Sequence, residues 1–129
     1  MIIDSSVLVA ILRDEPEAWE FAQRIAQTGC RISAANYLEA AIVIDCARDP
    51  IVSRKFDELI RESSIVVEPV TEQHAHIARE AYRDFGKGCG HPAQLNFADC
   101  FAYALAKSAG EPLLFKGNDF SRTDLVPAR

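Results

Sequence analysis

An α/β domain, with helices covering both faces of a mostly parallel sheet, is predicted by three features of the 129-residue sequence. The run Met1-Ile2-Ile3 is wholly apolar and leads straight into a helix-patterned segment, as a buried parallel strand does. Later strand-like runs are separated by one or two helical stretches, with no succession of hairpins. A hydrophobic fraction of 49% and a charged fraction of 26% are ordinary globular values. A chain of this length buries about two-thirds of its unfolded surface in one core. A single domain over residues 1–129, without linker or repeat, is therefore expected.

The elements follow in order. The first strand covers residues 1–4 and ends on Asp4, after which Ser5, Ser6 and the segment VLVAIL read as a helix over 5–12. Helices are expected near 16–28, 35–48, 50–62, 71–85 and 96–109, and strands near 30–33, 64–68 and 112–115, with a short edge near 124–126. The segment Gly86-Lys87-Gly88-Cys89-Gly90-His91-Pro92 reads as loop, because three glycines and a proline cannot sustain a helix interior. It immediately precedes the helix that contains Asp99.

Composition excludes several classes. No apolar run approaches the roughly 20 residues that span a bilayer, and no positively charged region precedes the apolar stretch after Met1, so a cytoplasmic protein is expected. The net charge of −5 rules out a grip on nucleic acid by a broad basic field, which leaves a local cluster and metal. Cys30, Cys46, Cys89 and Cys100 form no C-x-x-C pair, against both a disulfide framework and a zinc knuckle. Cys46 and Cys100, in apolar helical stretches, are expected in the core.

Acidic side chains belong on solvated faces, so those embedded in apolar surroundings are informative. Asp4 stands at the carboxyl end of a strand, where open α/β sheets bind ligands, although it also reads as a helix N-cap. Glu39 lies mid-helix on the stripe of Ala35, Ile42 and Cys46. Asp99 shares a helix face with Ala102, Tyr103 and Ala106, and reads equally as helix-start chemistry with Asn96 as the cap. Asp119 follows the strand Leu113-Leu114-Phe115 in the turn-forming Lys116-Gly117-Asn118-Asp119-Phe120. Two strand ends and two helix starts or faces meet along one edge of such a sheet. Acids gathered there require a cation or raised pKa values, and an all-oxygen set suits Mg²⁺ or Mn²⁺ rather than zinc. Phosphodiester hydrolysis is the chemistry such an ion supports.

These same segments resemble a known family. Met1 through Ala10, the buried Tyr37-Leu38-Glu39, Gly86 through Ala106 and Pro112 through Phe120 together resemble the PIN-domain nucleases, and among them the VapC toxins of bacterial type II toxin–antitoxin pairs. The resemblance spans essentially the whole chain. It implies a three-layer α/β/α sandwich, Mg²⁺- or Mn²⁺-dependent endoribonuclease activity and a cognate VapB-type antitoxin. The family's four acids fall on Asp4, Glu39, Asp99 and Asp119, with Asn118 or Asp124 as alternatives at the fourth position. Ala98 departs from the glycine that many relatives carry before the third acid. Ser5 and Ser6 match the hydroxyl pair that follows the first acid, and Ser6 is expected to hydrogen-bond within the site.

Arg79, Arg83 and Lys87 form a basic stripe if the helix continues to the glycine loop, or a solvated face with Glu80 and Asp84. Lys87, Lys116 and Arg122 are expected to touch the RNA backbone. His74 and His76, two apart on a helix, point to different faces and so do not build a zinc site with Cys89 and His91. Helix 35–48 is apolar nearly all round, which predicts a homodimer. Two other classes compete: a PIN-like module without catalysis that binds a protein or RNA, and a phosphotransfer domain with Asp4 as acceptor. A non-catalytic site has no reason to crowd charge, and a mid-helix Glu39 does not suit the second.

Overall fold

Four short strands set the frame, and every pairing between them is parallel. In chain order the computed structural model contains β1 (Ile2–Ile3), α1 (Ser5–Leu12), α2 (Ala18–Gln27), β2 (Arg31–Ser33), α3 (Ala34–Asp45), α4 (Pro50–Glu62), β3 (Val66–Glu68), α5 (Glu72–Phe85), α6 (Asp99–Ala109) and β4 (Leu113–Leu114). It describes residues 1–88 and 91–128; Cys89, Gly90 and Arg129 lie outside the described residues. Beyond β4, the expected edge strand is one parallel bridge between Leu113 and Pro127.

The strand order β3-β2-β1-β4 explains the layering. The chain steps outward from β1 to β2 to β3 and then returns to the far side of β1. Parallel crossovers are right-handed, so reversing the direction of travel moves the connecting helices to the opposite face of the sheet. Ile3, Ile32 and Leu114 accordingly pack with Val7, Phe21, Ala40, Ile44 and Phe56 of α1–α4. Ile2 and Leu113, one residue out of phase, pack with Ala78, Ala81, Ala102 and Leu105 of α5 and α6. A three-layer α/β/α sandwich results. Between β1 and β4 the strand order reverses, and it is at the carboxyl ends beside such a switch that open α/β sheets bind ligands.

Local chemistry fixes the helix limits. Asp4, Ser33 and Asp49 side chains each accept an amide from the first turn of α1, α3 and α4, and Pro50 opens α4 where its missing N–H costs nothing. Thr71 and His74 form a reciprocal capping box on α5. Helix α3 stops at Asp45 rather than 48 because Arg48 takes a positive φ of 55° ahead of Asp49-Pro50. Helix α5 stops at Phe85. A Cβ on Gly86 would lie 2.1 Å from the Tyr82 carbonyl oxygen, which the Gly86 amide already engages, so only glycine closes the helix this way.

On the surface one expectation is corrected and one open alternative is decided. Cys46 is exposed, because α3 ends one residue before it and it sits outside the core; Cys30 and Cys100 are buried. Lys87 lies beyond the end of α5, so Arg79, Arg83 and Lys87 do not form one helical stripe; Arg83 instead pairs with Asp84 at 3.3 Å. The apolar circumference of α3 is half solvent-facing, with Leu38 56% and Ile42 52% exposed. No helix among the described residues is long and apolar enough to cross a membrane.

Candidate active site

Asp4 sits where β1 gives way to α1, its amide bonded to the Leu114 carbonyl at 3.0 Å. Oδ2 accepts the Ser6 amide at 3.1 Å, so Asp4 does cap the helix, but Oδ1 is buried with no hydrogen-bond partner among the described residues. An orphaned carboxylate oxygen in a residue only 4% exposed is costly. Burial pushes its pKa up and the nearby Glu39 pushes the same way, against the Ser6 hydrogen bonds.

Glu39 arrives from α3, half-buried rather than sunk in the core. Its Oε1 accepts from Ser5 Oγ on α1 and, at 3.4 Å, from Asn36 Nδ2 one turn earlier on its own helix. Asp99 is the first residue of α6. Its Oδ2 accepts the Asn96 amide at 3.0 Å and its own amide donates to Asn96 Oδ1 at 2.8 Å, a reciprocal pair that fixes the carboxyl against the segment before the helix; α6 itself starts at 99, not 96. Burial raises the Asp99 pKa to about 7; the Asn96 amide opposes this, and the charges of Asp4, Asp119 and Glu39 add to it. Three acids from distant parts of the chain thus bear on one carboxyl.

Asp119 is exposed, in the turn after β4. Of its two rivals, Asp124 is taken up elsewhere: it accepts from the Tyr103 hydroxyl at 2.6 Å and pairs with Lys107, more than one helical turn from Asp99. Asn118 is exposed, and its carbonyl accepts the Ser121 amide. Ser6 Oγ accepts the Lys116 amide at 3.0 Å, which ties the start of α1 to the turn carrying Asp119. The Lys116 ammonium is already engaged by Glu15 and lies 3.0 Å from Glu17 Oε2. Lys87 is exposed; its amide donates to the Leu95 carbonyl and its own carbonyl accepts the Tyr82 hydroxyl. Two histidines have structural contacts: His74 caps α5, and His91 Nδ1 accepts the Ala93 amide while its ring stands edge-on to Phe85.

Among the described residues, no group of three or more acidic, His or Cys side chains is gathered tightly enough to hold an ion as it stands. The donor set still fits a hard cation. All candidate ligands are oxygens, Asp4 Oδ1 has no other partner among the described residues, and burial disfavours bare charge on Asp4 and Asp99. Mg²⁺ commonly keeps several waters and takes only one or two carboxylates, so it does not demand a closed cage.

Two polar residues escaped sequence reasoning. Ser5 read as half of a hydroxyl pair, yet its side chain turns to Glu39. Asn36 is fully buried and donates through Nδ2 to the Ala98 carbonyl at 3.0 Å as well as to Glu39. Its signal was its position: three residues before Glu39, it shares that face of α3.

Comparison with known proteins adds to this geometry. The PIN domain family profile matches residues 1–126. The chain is 58% identical over 129 residues to Ribonuclease VapC28 of Mycobacterium tuberculosis, covering 99% of this chain and 97% of that protein. It is 44% identical over 127 residues to Ribonuclease VapC30 of the same organism, covering 98% and 96%. Among solved structures it is similar to M. tuberculosis VapC20, described as a sarcin-ricin loop cleaving toxin, with a TM-score of 0.76 at 16% identity over 99% of this chain and 98% of the other. A toxin–antitoxin complex from Klebsiella pneumoniae gives 0.73 at 14% identity over 95% and 92%. At such identities the structural likeness is one of fold.

Proposed function

The chain belongs to the PIN-domain family, and from that premise we propose that it is a Mg²⁺- or Mn²⁺-dependent endoribonuclease, the toxin of a toxin–antitoxin pair, whose site is Asp4, Glu39, Asp99 and Asp119. The observation that carries the reading is a pair of buried carboxylates, Asp4 and Asp99, with Glu39 and Asp119 close enough for their charges to act on Asp99 and with Asp4 Oδ1 lacking any hydrogen-bond partner among the described residues. The ribonuclease names of relatives that match nearly the full chain support the same reaction.

A divalent cation among these oxygens supplies Lewis-acid chemistry, offsetting charge on the scissile phosphate and making an attacking water more acidic. The chain's own residues do the positioning. The Ser6 amide fixes one Asp4 oxygen and leaves Oδ1 to face the site. Asn96 sets the rotation of Asp99, and Ser5 holds Glu39. The Ser6 hydroxyl anchors the turn that carries Asp119. Lys87, exposed and without a salt-bridge partner among the described residues, offers its ammonium to the RNA backbone, whereas Lys116 reaches a phosphate only by exchanging it for Glu15 and Glu17.

The reading extends to partners. One PIN-like domain acts on cytoplasmic RNA, a VapB-type antitoxin restrains it, and the exposed Leu38 and Ile42 of α3 seat a second copy. Purified protein is incubated with cellular RNA and Mg²⁺, and the cut ends are mapped. Wild type is expected to give discrete ends that vanish with chelator, and Asp99→Asn to be slower by at least about a hundredfold. Cutting that survives both changes, or none by wild type, overturns the reading.

A further inference from the structure

Asn36 does something no acid in the site can do. Its side-chain nitrogen donates to two acceptors at once: the Glu39 carboxylate at 3.4 Å and the carbonyl of Ala98 at 3.0 Å, on the residue immediately before Asp99. Both neighbours are acceptors, so the amide can face only this way round. Oδ1 is left with no partner among the described residues although the residue is 0% exposed. A buried amide oxygen without a partner costs stability, and such a group in a native structure asks for a reason. Asn36 does not cap α3, since the Ser33 side chain does that. The Ala98 carbonyl does not depend on Asn36 either, because it already accepts the Phe101 amide at 3.1 Å.

We infer that Asn36 is a positioning residue that sets the separation of Glu39 and Asp99 by pinning α3 to the start of α6, and so tunes divalent-cation affinity. Ser5 reaches Glu39 only from α1 and leaves its distance from α6 open. Asn36 closes that gap: one amide spans both helices. Groups that orient metal ligands without touching the ion typically change metal affinity by about 10- to 100-fold when removed.

The inference rests on the proposed cation site, and its test separates the two. Mn²⁺ binding to the whole protein is followed by the loss of the free-ion electron paramagnetic resonance signal, with thermal melting of the same samples without metal. Wild type is expected to bind Mn²⁺; failure there sinks the proposed site itself. Asn36→Ala is expected to bind about tenfold more weakly. In a Glu39→Ala background the same substitution should add no further loss, because Asn36 acts through Glu39. Should Asn36→Ala fold poorly, Asn36→Leu keeps the buried volume and removes the donor, with the same loss of affinity expected. Unchanged Mn²⁺ affinity in the folded variant, a fall in melting temperature alone, or losses that add in full to that of Glu39→Ala would each overturn the inference.

Discussion

Asp99 has two conflicting tasks at neutral pH: it starts a helix as an anion, and it lies where burial and three other acids favour its neutral form. Its pKa is raised to about 7 in the fold and is ordinary in the unfolded chain, so the folded state binds the extra proton. Stability from this group is fully present below the ordinary carboxyl range, is lost as pH rises towards about 7, and levels off above. Metal-free protein is therefore expected to melt at progressively lower temperature from about pH 5 to pH 7, by at most about 1.4 kcal/mol per pH unit, with Asp99→Asn flattening the trend. Added Mg²⁺ should stabilise more at high pH, because it binds the ionised form. Calorimetry with and without Mg²⁺ checks both. Asp124→Asn should lower stability through the lost Tyr103 and Lys107 contacts and leave Mn²⁺ affinity unchanged, whereas Asp119→Asn should weaken Mn²⁺ binding. At this scale Asp4, Glu39 and Asp99 stood out as candidates because each sits among apolar residues, whereas Asp119, in a turn where acids are ordinary, was singled out only by its place after β4 and by the family resemblance. Asn36 and Ser5 were not, since their importance lies in partners 62 and 34 residues away. The occupation of Lys116 by Glu15 and Glu17 was hidden for the same reason: those acids are 101 and 99 positions distant in the chain.

Elements carry the next level. All six helices and four strands were present in the sequence pattern, because apolar periodicity and N-cap residues are local signals. The limits shifted where a non-local or backbone effect won. Helix α6 begins at Asp99, three residues after the expected start, and α5 ends at Phe85 because the Gly86 backbone closes on Tyr82. That second stop removes Lys87 from the helix and leaves it exposed next to the described part of the glycine loop. Gly86→Ala is expected to cost about 1–3 kcal/mol, since a methyl group 2.1 Å from a backbone oxygen must displace the helix end. Denaturant titration measures it. Thr71→Ala, which removes half of the α5 capping box, should cost about 1 kcal/mol with cleavage unaffected.

Across the whole molecule, strand order does the gathering. The reversal between β1 and β4 puts Asp4 and the turn of Asp119 at the carboxyl ends of neighbouring strands, while crossovers on opposite faces bring Glu39 on α3 and Asp99 on α6 close enough for their charges to interact. The sequence supports a parallel α/β sheet, but order and face follow only from the right-handed crossover rule applied to the observed pairing. Exposed Leu38 and Ile42 on α3 lead to a further expectation: Leu38→Glu with Ile42→Lys should leave a monomer in sedimentation velocity where wild type sediments as a dimer. The central claim is that acids far apart in the chain share one ion. Anomalous diffraction at the manganese absorption edge, from crystals grown with Mn²⁺, tests it most directly. A peak bounded by Asp4 and Asp99, with Glu39 and Asp119 around it, is the predicted result; strong manganese peaks only elsewhere, with these four carboxylates left bare, would contradict it.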